Sequence, residues 1–140
     1  MLRGRRLAFD YGDVRIGVAI SDPDSIICSP LTTLQASDRE LDSKILELII
    51  ENEPVQIFVG RPALLSGADG AASEKAVAFA NRLRGITGVP IVLIDERMST
   101  VSAARNLRDS GKNAKESKKV IDMAAAVGIL EFALELEKRT

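Results

Sequence analysis

At 140 residues, with 46% hydrophobic and 28% charged positions, the chain has the makeup of one folded domain and not of a disordered or collagenous segment. Its single cysteine, Cys28, excludes an intrachain disulfide, and the absence of histidine excludes the common Cys/His zinc arrangements. A net charge of −1 gives no global sign of a nucleic-acid binder, yet basic residues cluster at Arg3, Arg5 and Arg6 and again at Lys112, Lys115, Lys118 and Lys119.

The N-terminal MLRGRRLAF is basic but lacks the apolar stretch of a signal peptide, and no charge-free run approaches a membrane span. The reducing cytoplasm, with no membrane partner, is the expected setting, and Cys28 reads as a small buried hydrophobe. Residues 5–11 and 14–21 read as strands joined by a hairpin at Gly12-Asp13, and a third strand, 26–34, follows the turn Asp22-Pro23-Asp24. Ser37 with Glu40 three positions later is a capping-box pattern, and Leu41, Ile45, Leu48 and Ile49 recur at helical spacing, so 38–52 is expected to be an amphipathic helix.

Val55 to Gly60 reads as a fourth strand, stopped by Gly60-Arg61-Pro62 and followed by a long loop to Gly70. A second helix is expected over 70–86, with Ala72, Ala76, Phe79, Ala80 and Leu83 on one face, and Gly88 and Pro90 end it. Ile91 to Ile94 is the fifth strand. Ser99 or Thr100 then caps a short helix ending near Gly111, and a final helix runs over 116–137. The order βββαβαβαα predicts an α/β fold. Its five-stranded mixed sheet would join an antiparallel meander of three strands to two parallel strands, with helices on both faces and residues 1–140 as one domain.

Three carboxylates stand in costly places. Asp10 ends the apolar run Leu7-Ala8-Phe9 in a strand whose flanks suggest a central position, where a charge needs a cation, a metal or an arginine to offset desolvation. Gly12, two positions on, would let a phosphate or another oxygen approach the backbone closely. In IVLIDERMST, Asp95 and Glu96 are adjacent and therefore cannot both face one site if the strand stays regular; periodicity does not choose between them. In VIDMAAAVGIL, Asp122 is the single charge in a stretch otherwise apolar on every side, the pattern of a buried helix, and it calls for a specific counter-charge. If the three converge, an oxygen-only cluster suits Mg²⁺ or Mn²⁺. Arg15, Arg61 and Arg97, with the lysines of GKNAKESKK, are candidates for neutralising the phosphates of a polyanionic substrate.

Four ordered blocks, LAFDYGDVRIGVAISDP, VGRPALLSGADG, IDERMST and KKVIDMAAAVGIL, resemble the YqgF/RuvX family of Holliday junction resolvases, also described as pre-16S rRNA nucleases. The resemblance implies a ribonuclease H-like fold with Asp10, Glu96 and Asp122 as its catalytic and metal-binding acids. It thereby selects Glu96 over Asp95. It also assigns Gly12 and Arg15 to the first motif, Gly60, Pro62 and Gly67 to the loop after the fourth strand, and Arg97, Ser99 and Thr100 to the third block. The chain departs from the family pattern at Val14, where lysine is frequent, and at Leu64-Leu65-Ser66, where Asn-Met-Asp is frequent.

The function expected from these readings is two-metal hydrolysis of phosphodiester bonds with Mg²⁺ or Mn²⁺, in 5′-end processing of pre-16S rRNA. Asp10 and Asp122 would share the metals and Glu96 would complete their shell. Arg15, Arg61, Arg97, Lys112, Lys115, Lys118 and Lys119 would contact the nucleic acid. One alternative is resolution of four-way DNA, which needs two symmetric cuts and hence a homodimer where rRNA processing allows a monomer. Others are a non-catalytic RNA-binding assembly factor and a nucleotide-binding lobe, the last of which would need a second lobe that 140 residues do not supply.

Overall fold

The computed structural model describes residues 2–62, 70–96 and 115–139. Among these, five strands form one sheet: β1 (Arg6–Tyr11), β2 (Arg15–Ser21), β3 (Cys28–Gln35), β4 (Gln56–Arg61) and β5 (Ile91–Asp95). Their spatial order is β3-β2-β1-β4-β5. The β1–β2 and β2–β3 pairs are antiparallel and the β1–β4 and β4–β5 pairs parallel, as the ribonuclease H-like expectation requires. β1 is therefore the middle strand, hydrogen-bonded on both edges. Helices α1 (Leu41–Asn52), α2 (Ala71–Ile86) and α3 (Lys115–Lys138) complete the described elements.

Period-two alternation along the strands divides the apolar residues between two cores. Leu7, Phe9, Ile16, Val18, Ile57 and Val59 pack with Leu41, Ile45 and Ile49 of α1 and Ala76, Phe79, Ala80 and Leu83 of α2. Phe79 anchors this side, meeting Phe9 edge-on with ring centroids 5.7 Å apart. On the opposite face Ala8, Ala19 and Phe58 pack against Ala125, Ala126, Ile129, Leu130, Ala133 and Leu134 of α3. On the sheet side Ala8 and Ala19 are small, and at Gly17 the α3 backbone comes within 2.2 Å of where a Cβ would stand.

Several local expectations change. α1 starts at Leu41, its N-cap is Glu40, and no side chain caps it, so the Ser37/Glu40 capping box does not form. The Asp38 carboxylate instead accepts the Glu40 N–H at 2.8 Å and pairs with Lys44, while the Leu41 N–H donates to the Asp38 carbonyl, which makes 38–40 a turn. β3 starts at Cys28, because the Asp22 carboxylate accepts the amides of Ile26 and Ile27 at 2.7 and 2.8 Å and draws both residues into the turn. Those amides, Ile27 foremost, outweigh the cost of desolvation and hold the Asp22 carboxyl below its usual range. On α2, Ser73 is buried and Ala72 exposed, the reverse of the expected face. Cys28 is half-buried.

Arg6 leaves the expected N-terminal basic patch. Its guanidinium is buried, donating to the Leu2 and Gly4 carbonyls and to Ser25 Oγ, and lying 3.1 Å from Glu137. It thus ties the N-terminus, the β2–β3 turn and the end of α3 together, the kind of multiply hydrogen-bonded setting a buried charge requires. Gly12 also has a different use. A Cβ there would lie 2.6 Å from the Arg15 carbonyl oxygen, so the hairpin itself fills the space read as access for a phosphate. The loop 63–69, with Leu64-Leu65-Ser66 and Gly67, and the short helix expected between Ser99 or Thr100 and Gly111 lie outside the described residues.

Candidate active site

Leu7 and Phe9 of β1 enter the α1/α2 core and Ala8 enters the α3 core, so alternation carries Asp10 to the α3 face. Asp10 is fully buried there. Its cross-strand partner is Gly17 of β2. A Cβ built on Gly17 would lie 2.2 Å from the Asp122 carbonyl oxygen and 2.6 Å from its carbonyl carbon, so α3 seats its backbone against β2 at this point because the residue is glycine. A single glycine thus separates Asp10 from the α3 backbone at Asp122.

Glu96 approaches from the other side of β1. At the end of β5 the two adjacent carboxylates part: Asp95 is exposed and Glu96 is buried. A Cβ on Gly60 of β4 would lie 2.5 Å from Glu96 Oε1 and 2.4 Å from Ile129 Cδ1, which locates the Glu96 carboxylate over β4, next to α3. The parallel register pairs Phe9 with Val59, and one further step along both strands sets Gly60 beside Asp10. Gly17 on one flank and Gly60 on the other therefore open the same face of the sheet around Asp10.

Asp122 has an arginine partner. Arg15 opens β2 two residues before Gly17, hence on the same face, and its Nε donates to Asp122 Oδ2 at 2.7 Å. Only 13% of the Arg15 side chain and 2% of the Asp122 side chain reach solvent. At that depth each ion costs several kcal/mol to desolvate, a cost that close pairing offsets. Arg15 is thus a counter-charge of the kind the buried helix demands, and its reach is directed inward.

Among the described residues no three carboxylate or thiol groups stand, as placed, close enough together to hold a metal ion. The donor chemistry nevertheless fits Mg²⁺ or Mn²⁺: Asp10, Glu96 and Asp122 are oxygen-only ligands buried on one face of the sheet. Gly60 leaves the Glu96 carboxylate a space that any Cβ would fill. Asp122 alone has an oxygen turned to Arg15.

The other basic candidates differ in placement. Arg61 at the end of β4 is partly buried and its Nε donates to Ser73 Oγ at 2.7 Å. Lys115, Lys118 and Lys119 fall on the first turns of α3, while Arg97 and Lys112 lie outside the described residues. Two cations escaped the sequence reading. Lys75 and Arg82 line a cleft with Tyr11, Ala78 and Phe79 on the α1/α2 side. Tyr11 is one residue beyond Asp10 and stacks on Phe79 with centroids 4.9 Å apart. Lys75 pairs with Asp13 at 2.7 Å and Arg82 with Asp42 at 2.6 Å, both exposed pairs of small energetic worth. The recurrence of 75, 78, 79 and 82 at helical spacing was the available signal.

The RuvX family profile, described as Holliday junction resolvase, matches residues 4–136. A protein of Streptomyces coelicolor named "Putative pre-16S rRNA nuclease" is 47% identical over 140 residues, covering 99% of this chain and 84% of its own length. A protein of Streptomyces avermitilis with the same name is 48% identical, covering 99% and 90%. Among solved structures, Thermus thermophilus RuvC in complex with a Holliday junction substrate superposes with a TM-score of 0.56 at 17% identity, covering 98% of this chain and 97% of that one. That likeness extends to the fold, a five-stranded ribonuclease H-like sheet with β1 at its centre. With a profile match over nearly its whole length and relatives close to half identical, the chain belongs to the RuvX family.

Proposed function

We propose that this protein hydrolyses phosphodiester bonds with a divalent metal at Asp10, Glu96 and Asp122, and that its substrate is the 5′ region of pre-16S rRNA in the cytoplasm. One observation carries the reading. Among the described residues, the buried carboxylates are Asp10, Glu96 and Asp122, and they come from three separate elements to one face of the sheet. Three desolvated acids gathered in this way are costly to the fold, and a site for cations offsets that cost. The family and the names of its curated members support a nuclease.

Mg²⁺ or Mn²⁺, when bound, would activate water and stabilise the leaving oxygen. The chain supplies the rest. Asp10, on a strand hydrogen-bonded along both edges, is the most firmly placed donor and would sit centrally, with Asp122 on one flank and Glu96 on the other. Burial keeps all three oxygen donors away from competing water. The Tyr11 cleft offers an aromatic face and two cations on the other side of the same strand end, a surface that suits single-stranded nucleic acid. Lys115, Lys118 and Lys119 would add phosphate contacts at the start of α3.

The test is cleavage of an end-labelled pre-16S 5′ leader by the wild type and by Asp10→Asn, which keeps the side chain's shape. Metal-dependent cleavage that vanishes in the variant is expected. RNA binding that persists in excess chelator, with no cleavage in any metal, would refute catalysis and make the protein an assembly factor. The family description favours a second reading, resolution of four-way DNA. That reading requires a dimer on the junction, and paired, symmetric cuts on synthetic junctions would select it.

A further inference from the structure

The site brings an arginine and three acids into one buried region, and the arginine is bound to one of them. From this geometry we infer that Arg15 is an internal stand-in for the cation: it holds Asp122 when no metal is bound, and the metal must displace it. The inference rests on the proposed metal site.

The argument begins with burial. The Asp122 carboxylate is almost wholly out of water, so it needs a positive partner in every state of the protein. Arg15 is positioned for that task from 107 residues away, with Nε 2.7 Å from Oδ2. Since Gly17 lets α3 touch β2, the backbone of Asp122 is held against the cross-strand partner of Asp10. A guanidinium on Oδ2 and a hard cation drawing the same carboxylate toward Asp10 and Glu96 compete for one anion. This fits the burial of the three acids on one face of the sheet, with one oxygen of Asp122 turned to Arg15. Competition for a shared group is a coupling between two ligands, reciprocal by thermodynamic necessity and typically worth about 5- to 150-fold in affinity.

The exchange makes Arg15 a positioning residue that acts through Asp122. It would lower metal affinity while offsetting part of the cost of burying the Asp122 carboxylate. It also frees a guanidinium beside the site when the metal arrives, and a planar fork of donors matches a phosphate group.

Two measurements test the exchange. In the wild type, the Arg15 Nε–H resonance, followed by nitrogen-15 NMR, is expected to shift away from its carboxylate-bound position as Mg²⁺ is added, with the same midpoint as binding measured by calorimetry. In Arg15→Gln, Mn²⁺ is expected to bind about 5- to 150-fold more tightly. That variant is also expected to be less stable than the wild type without metal and to regain more stability on metal addition, since the ion supplies a positive charge where the guanidinium was. Arg15→Lys should restore wild-type metal affinity at least in part. If Mg²⁺ binds to the wild type while the Arg15 resonance stays in place, or if Arg15→Gln binds Mn²⁺ no better than the wild type, the exchange is refuted and the metal site stands. If neither the wild type nor Arg15→Gln binds either ion, the metal site falls and the exchange with it.

Discussion

Gly17→Ala is predicted to be among the most damaging single-methyl additions to this protein. The added Cβ would lie 2.2 Å from the Asp122 carbonyl oxygen, 2.6 Å from its carbonyl carbon and 3.2 Å from the Met123 nitrogen, whereas ordinary contact begins near 3.4 Å. The obstacle is helix backbone, so no rotamer change relieves it. α3 must retreat by 3.4 − 2.2 = 1.2 Å at this point, and a gap of that size forfeits a quarter to a half or more of the dispersion energy along a packed face. The face in question carries Ala125, Ala126, Ile129, Leu130, Ala133 and Leu134. Overpacking usually costs about 1–3 kcal/mol, and the rigid obstacle puts this case near 3. For a chain of this length that is a fall in Tm of roughly 10 °C. Urea unfolding should show the loss as a lower midpoint with an unchanged slope. Because the displaced backbone is that of Asp122, the proposed cleavage should fall about 100-fold where the variant is still folded. A Gly17→Ala protein within about 0.5 kcal/mol of the wild type would refute the account of how α3 meets the sheet.

Gly85→Ala is the matching control: it lies in α2 with nothing within 4 Å of an added Cβ, so it should stabilise the protein by about 0.5–1 kcal/mol in the same denaturation assay. The Cys28 thiol is pushed up to about 11 by burial and then by the Glu131 and Asp22 carboxylates, with Lys138 opposing. Iodoacetamide alkylation should therefore be slow at pH 7 to 9 and accelerate toward pH 11; rapid labelling at pH 7.5 would contradict that environment. Lys75→Ala combined with Arg82→Ala should weaken single-stranded RNA binding and flatten the dependence of log affinity on log salt by about 0.7 for each phosphate that is no longer neutralised. An unchanged salt slope would remove the Tyr11 cleft from the RNA path.

The sheet was legible because its strands carry their signals locally. Alternating apolar runs broken by Gly12-Asp13 and by Asp22-Pro23-Asp24 define the meander, and the helical periods of 41–49 and 76–83 fix the crossovers that make the remaining pairs parallel. Boundaries moved where a side chain captured backbone donors over a few residues. Asp22 took the amides of Ile26 and Ile27, and Asp38 took that of Glu40, which no periodicity of apolar residues encodes. The costly placement of Asp10 and Asp122 was visible as charge inside apolar sequence. That Glu96 and not Asp95 turns inward depends on where the chain leaves β5, a tertiary matter. The arginine that meets Asp122 was out of reach for the same reason. Arg15 is 107 residues away, and it reads as a surface cation until β2 and α3 are packed together. Arg6 shows the same limit, since nothing in RGRR distinguishes the guanidinium that is buried from those that are not.

The central claim is that Asp10, Glu96 and Asp122 form one divalent-metal site that performs the proposed hydrolysis. Its most direct test is calorimetric titration of Mn²⁺ into the wild type, Asp10→Asn, Glu96→Gln and Asp122→Asn, with each protein's folding checked by circular dichroism. The account predicts binding by the wild type and a loss of about tenfold or more in each folded variant, roughly 1.4 kcal/mol or beyond. Three folded variants that bind Mn²⁺ as the wild type does would contradict it.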